Sequence, residues 1–265
     1  MAGSNVSIVF VPGSFATPDL YSKVIDGVAA KGYDIHGLHL PSVGPATGQA
    51  REGSLPTMYD DAAFIAKEVE TLADQGKAVI LVGHSYAGIP ITQSVQGLSV
   101  KERQKQGKPG GIVRLAYMTA VVPAIGESAT DVLLKLPEDQ RLALDVDESG
   151  WMTQNDPAKT ARTCFNHLSL DEGVHWVKQF PKHSSASFAS PLTYPGYKDV
   201  PVSYLIHEED RCLTPDLQRA EIEMIEKESG ARVDVTSIKA DHCANISAPQ
   251  LVVDWIVSVA EQVNA

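Results

Sequence analysis

Ala78-Val79-Ile80-Leu81-Val82-Gly83-His84-Ser85-Tyr86-Ala87-Gly88 is the stretch that decides how this 265-residue chain is read. Its first five residues are all apolar, as in a strand buried on both faces. A serine then stands with small residues two positions to either side, Gly83 and Ala87, and Gly88 follows. Strand, sharp turn and helix in that order force a serine into a tight, strained turn with its hydroxyl above the sheet. The small neighbours are needed because the backbone passes close to itself. The spacing is G-x-S-x-G with Ala87 in the last place. An ordinary strand-to-helix turn capped by serine is the plainer reading, and the apolar strand argues against it. Ser85 is the candidate nucleophile, and a serine hydroxyl is weakly nucleophilic until a base activates it.

Outward from this turn, short β-branched runs alternate with longer helical stretches. Strands are predicted at residues 6–11, 34–40, 78–82, 112–122, 201–206 and 232–238. The helices between them carry start and stop residues. Thr17-Pro18 sets a capping residue before a proline, with Gly32 as the stop; Thr57 and Gly76 bracket a second helix; Thr214-Pro215-Asp216 and Gly230 bracket a third. Ser247-Ala248-Pro249-Gln250 has the spacing of a capping box ahead of the apolar run 251–259. This alternation predicts an α/β fold, a mostly parallel sheet of about six strands flanked by helices.

One stretch breaks the rhythm. Residues 123–198 carry no strand signal but hold helical patches at 129–136 and 170–180, and the aromatics Trp151, Phe165, Trp176 and Phe188. The chain therefore divides into a core, residues 1–122 and 199–265, and a helical insertion, 123–198. The insertion is either decoration or a lid over a pocket. A lid is the better reading, since the insertion interrupts the sheet at one point and ends just before a strand that leads to a candidate catalytic loop. Phe15 and Trp176 are the candidate substrate-binding aromatics.

The base is sought where Ser85 emerges, at the carboxyl edge of the sheet. His242, in Ala240-Asp241-His242-Cys243, follows the last strand and precedes the last helix. The other histidines, at 36, 39, 84, 167, 175, 183 and 207, sit in strands, in the insertion or beside the turn, and read as structural or surface residues. A base of this kind needs a carboxylate to hold its tautomer. Asp210, past the strand at 201–206, is the choice; Glu209 beside it and Glu127, after the preceding strand, are the alternatives. Acyl transfer also needs backbone donors for an oxyanion. Tyr86, next after the nucleophile, supplies one, and Ser14 in the loop Val11-Pro12-Gly13-Ser14-Phe15 the other, with Phe15 next in line.

Composition narrows the partners. The formal charge is −11 and the pI about 5.1, so neither nucleic acid nor an anionic membrane surface is favoured. The one basic run, residues 101–108, reads as a solvated loop. G-x-G-x-x-G and the phosphate-binding loop are both absent. Three cysteines without a C-x-x-C pair suggest neither zinc nor a disulfide framework. No basic leader opens the chain and no run of ~18 apolar residues is present, so a cytoplasmic protein without a membrane span is expected. The sequons at Asn5 and Asn245 carry no weight without secretion. A small-molecule substrate is the expected partner, no metal or organic cofactor is called for, and a homodimer is left open.

With these motifs together, the chain resembles the α/β-hydrolase superfamily over nearly its whole length. It is similar to the small lidded group that includes plant methyl esterases and hydroxynitrile lyases, and closer to fungal-type relatives. The resemblance rests on Val11-Pro12-Gly13-Ser14-Phe15, Leu40-Pro41-Ser42-Val43-Gly44, Gly83-His84-Ser85-Tyr86-Ala87-Gly88, Glu209-Asp210-Arg211-Cys212-Leu213-Thr214-Pro215 and Asp241-His242. It implies a serine esterase or lactonase, and the aromatics of the insertion suggest an apolar, medium-sized small molecule as substrate. A lyase or carbon–carbon bond hydrolase with the same triad is one alternative. A non-hydrolytic cyclase or a small-molecule receptor is another. Two departures matter. The resemblance implies a histidine before the oxyanion-loop glycine, where Pro12 stands. In the lyases it implies a lysine after the catalytic histidine and a threonine in the oxyanion loop, where Cys243 and Gly13 stand.

Overall fold

A computed structural model describes residues 5–264. Residues 1–4, on which the expectation of no leader rests, and residue 265 lie outside the described residues.

The elements run β1 (Val6–Val11), α1 (Ser22–Ala30), β2 (Asp34–Gly37), α2 (Met58–Asp74), β3 (Ala78–Ser85), α3 (Gly88–Gln93), α4 (Val100–Lys105) and β4 (Gly111–Ala120). There follow α5 (Ala129–Leu133), β5 (Leu144–Val146), β6 (Trp151–Gln154), α6 (Pro157–Cys164), α7 (Leu170–Val177), β7 (His183–Ser184) and α8 (Ser185–Ala189). The chain closes with β8 (Val202–His207), α9 (Pro215–Ser229), β9 (Asp234–Ile238), α10 (Ala244–Ser247) and α11 (Pro249–Asn264). Six strands form one sheet in the order β2-β1-β3-β4-β8-β9, every pair parallel. This is the parallel sheet of six strands between helices that the alternation predicts.

The period of two in each strand splits the core. Val9 and Val11 of β1 and Val79 and Leu81 of β3 pack on one face, with Met58, Ile65 and Val69 of α2 and Ile225 of α9. Ile8 and Phe10 of β1 and Ile80 and Val82 of β3 pack on the other, with Val24 and Val28 of α1 and Trp255 and Ile256 of α11. Each such side chain contributes roughly 1.5–3 kcal/mol on burial. Apolar residues on both faces are what a parallel sheet covered by helices requires.

Several local expectations hold. Thr57 caps α2 through a capping box with Asp60, and Thr214 caps α9, which ends at left-handed Gly230. Others are corrected. Thr17 precedes a short 3-10 turn at Pro18–Tyr21, and its side chain makes no capping bond. Ser247 ends α10, and its hydroxyl donates to Asp241 at 2.6 Å, so it does not box the N-terminus of α11. The basic run is not a solvated loop. Residues 100–105 are helical, capped by Ser99. Arg103 is 1% exposed, donating to Asp74 at 2.6 Å and to the Pro109 carbonyl. The stretch 123–198 is not strandless: β5, β6 and β7 form a small antiparallel sheet. Strands of two to four residues give alternation too little length to show.

Candidate active site

The turn after β3 is built by close backbone approach. Ser85 lies at φ +54°, a left-handed conformation costly for a residue with a side chain. A Cβ on Gly83 would stand 2.6 Å from the Ile91 side chain, and one on Gly88 would stand 2.4 Å from the Val121 carbonyl oxygen. Ala87 has ordinary helical dihedrals. The glycine that the pattern places at 87 is thus not needed there; the tight contact falls on Gly88.

Three sequence-predicted residues, at or just past the ends of β3, β8 and β9 on the carboxyl edge of the parallel sheet, come to one place. His242 Nε2 is 3.1 Å from Ser85 Oγ, and its Nδ1 is 2.7 Å from Asp210 Oδ2. All three side chains are buried. Asp210 also accepts from Thr119 Oγ1 on the same oxygen, and from the amides of Cys212 and Leu213 on the other. Burial works against its charge, but His242 and Thr119 hold its pKa below the usual carboxylate value. Burial likewise opposes a charge on His242; Asp210 reverses this and raises the imidazole to about 9. Glu209 pairs with His167 and Glu127 with Lys135; neither is bonded to His242.

The loop after β1 shows an ordered pattern in three consecutive amides. Gly13 N–H donates to Tyr21 Oη, and Phe15 N–H donates to His183 Nδ1 at 3.1 Å. Among the described residues, Ser14 N–H between them meets no protein acceptor, and neither does Tyr86 N–H. Both residues line the space around Ser85. Tyr86 is held from below, its hydroxyl donating to buried Asp61, which also accepts from Ser42.

Two histidines read from sequence as structural lie at this site. His84 Nδ1 is 2.6 Å from Tyr21 Oη and its Nε2 is 2.9 Å from the His242 carbonyl. The His242 carbonyl can only accept, so the His84 Nε2–H donates to it, and the bare Nδ1 of the neutral ring accepts the Tyr21 hydroxyl proton. Burial, with His242 and His207 nearby, drives the His84 pKa far down and keeps it neutral. One chain of bonds therefore links the loop after β1, the turn after β3 and the loop of His242. Nothing in sequence spacing marks Tyr21 or His183 for this. Only the tertiary fold brings residue 183 to residue 15.

Ser85 sits between two apolar cavities. A narrow one of about 50 Å³ is lined by His242, Trp176, Phe180, Phe165 and the three cysteines. A wide one of about 490 Å³ is lined by Tyr86 and Phe188 and by Leu133, Leu136, Leu144 and Met152. Phe15 borders both, and Trp176 borders the narrow one alone. Much of each lining comes from residues 123–198. Among the described residues no group of three or more His, Cys, Asp or Glu is arranged to hold a metal, and no helix is long and apolar enough to cross a membrane.

The alpha/beta hydrolase family model matches residues 8–255. The chain is 34% identical over 255 residues to Probable hydrolase R7 of Phoma sp., covering 96% of this chain and 97% of that one. It is 24% identical to Methylesterase 9 of Arabidopsis thaliana, over 80% of this chain and 82% of the other. The crystal structure of a pyrethroid hydrolase from Sphingobium faniae superposes with a TM-score of 0.73 at 22% identity, over 97% and 98% of the two chains.

Proposed function

The chain belongs to the alpha/beta hydrolase family, and from that premise we propose that it is a serine hydrolase cleaving a carboxylic ester or lactone of an apolar small molecule. The observation that carries this reading is the continuous chain Ser85 Oγ, His242 Nε2, His242 Nδ1, Asp210 Oδ2, with links of 3.1 and 2.7 Å. His242 takes the hydroxyl proton as Ser85 attacks the carbonyl, and Asp210 holds Nδ1–H and supports the imidazolium. The amides of Ser14 and Tyr86 stabilise the oxyanion. His242 then protonates the leaving alkoxide, and a water deacylates the enzyme by the same route.

This sequence of proton transfers also orients the substrate. The leaving oxygen must meet His242, which lines only the narrow cavity, while Tyr86 lines only the wide one. The alcohol side therefore points into the narrow cavity and the acyl side into the wide one, with residues 123–198 as the lid over both. The names of the similar proteins, a methylesterase and a pyrethroid hydrolase among them, support an esterase type.

Ser85→Ala tests the reading. Turnover of p-nitrophenyl esters is expected to fall on the order of 10⁴-fold, because the three side chains act as a unit. A fluorophosphonate is expected to label Ser85 in the native protein. Undiminished hydrolysis by the alanine variant would remove the proposal.

A further inference from the structure

We propose that His183, a residue of the insertion, is a positioning residue for the oxyanion hole; the proposal rests on the reading of Ser85 as nucleophile. The loop it holds is under strain. Phe15 lies at φ +58°, a conformation an aromatic residue adopts only when its surroundings impose it. Its amide is committed to His183 Nδ1, and its ring packs against Phe180, His183 and Phe188. All of these partners come from residues 123–198.

The bonds around His183 fix which nitrogen carries the proton. Ser187 Oγ donates to the Ser184 carbonyl at 2.8 Å, so towards His183 Nε2, 3.0 Å away, it can only accept. Nε2 therefore bears the hydrogen and Nδ1 presents a lone pair to Phe15 N–H. The ring is fully buried and burial lowers its pKa to about 3, which keeps that lone pair free. The backbone on both sides is clamped as well. Met152 pairs with His183 across β6 and β7, and the amide of Ser184 donates to the Ser42 carbonyl.

The consequence falls on Ser14. With Gly13 N–H held by Tyr21 and Phe15 N–H held by His183, the plane of the Ser14 amide is set from both ends. Position 12, just before this loop's glycine, is proline, whose side chain offers the loop no hydrogen bond. The insertion supplies one from 168 residues away, so the lid and the oxyanion hole are one construction.

The test compares His183→Asn, whose Oδ1 stands near the place of Nδ1, with His183→Gln, whose acceptor reaches towards Nε2. Active enzyme is counted by fluorophosphonate titration, and kcat and KM are measured for a p-nitrophenyl ester. Affinity is measured for a trifluoromethyl ketone, which forms a tetrahedral adduct with the serine. The Asn variant is expected within about 3-fold of the native kcat. The Gln variant is expected to lose about 10- to 100-fold, as a misplaced oxyanion donor does, with KM little changed and ketone affinity falling in step. Ser187→Ala, which deletes one oxygen and leaves the ring in place, is the second arm, and a drop in kcat of about 3- to 10-fold at constant KM is expected. Equal losses in Asn and Gln, an effect on KM alone, a His183→Asn protein that cannot be titrated, or native kcat in Ser187→Ala would overturn the proposal. If Ser85→Ala stays active, the hydrolase reading itself fails; if only these variants are silent in a Ser85-dependent enzyme, the positioning role alone falls.

Discussion

Residue by residue, the chemistry turns on what surrounds each polar group. Asp210 is surrounded by four donors, whereas Glu127 is tied to Lys135 at the surface. Asp210→Asn should therefore cut turnover by about 10³- to 10⁴-fold, since it removes the group that orients His242, and Glu127→Gln should leave it within about 3-fold; steady-state kinetics on one ester decides between the two carboxylates. The raised pKa of His242 gives a second prediction. A base must be neutral to accept a proton, so kcat/KM should climb about tenfold per pH unit through neutrality and level off near pH 9. A profile already flat at pH 7 would contradict it. The same shift acts on stability in the opposite sense: the gain from the charged His242–Asp210 pair is complete below the unfolded value of 6.5 and is lost as pH rises through about 9. Ser85, Asp210 and His242 could be picked from sequence because each follows a strand in a recognisable context. The histidines at 84 and 183 could not, because a buried neutral histidine has no sequence mark that separates a scaffold from a clamp.

Elements carry the next level of constraint, and here β4 and α9 meet in a buried acid. Glu221 of α9 accepts from the Val122 amide, just past the end of β4 where the insertion begins, and bonds Tyr204 of β8. Burial raises its pKa to about 8, so near neutrality it is protonated. The folded state then binds a proton that the unfolded state has released, and this contribution to stability declines from about pH 4.5 to about pH 8 and stays constant above. Glu221→Gln has the shape of the protonated acid and no charge to lose. Its melting temperature relative to native should rise steadily across that interval and then hold a fixed advantage; a difference independent of pH would show that Glu221 is not the titrating group. The long elements were legible in the sequence because buried strands and capped helices announce themselves over many residues. The small sheet β5-β6-β7 was not, and neither was α4, whose basic residues hid the buried Arg103. In both, tertiary contacts outweigh local pattern.

At the scale of the whole molecule, sheet and insertion enclose two cavities of very different size, and Ser85 stands where they meet. The predicted orientation follows from proton delivery: His242 borders the narrow cavity and not the wide one, so the oxygen it protonates is expected on the narrow side. A panel of esters with one acid and alcohols from methyl to butyl should therefore show kcat/KM falling steadily with alcohol length. A panel with one small alcohol and acids from acetyl to octanoyl should rise instead, as the wide cavity of about 490 Å³ fills. An apolar wall discriminates by about 1–3 kcal/mol per methylene, so both trends should be graded. Trp176 separates this from a general effect of hydrophobicity, because it borders the narrow cavity and not the wide one. Trp176→Ala should flatten the alcohol series and leave the acyl series as it was. If it relaxes the acyl preference and not the alcohol preference, the acyl chain lies on the side of His242 and the assigned orientation is reversed.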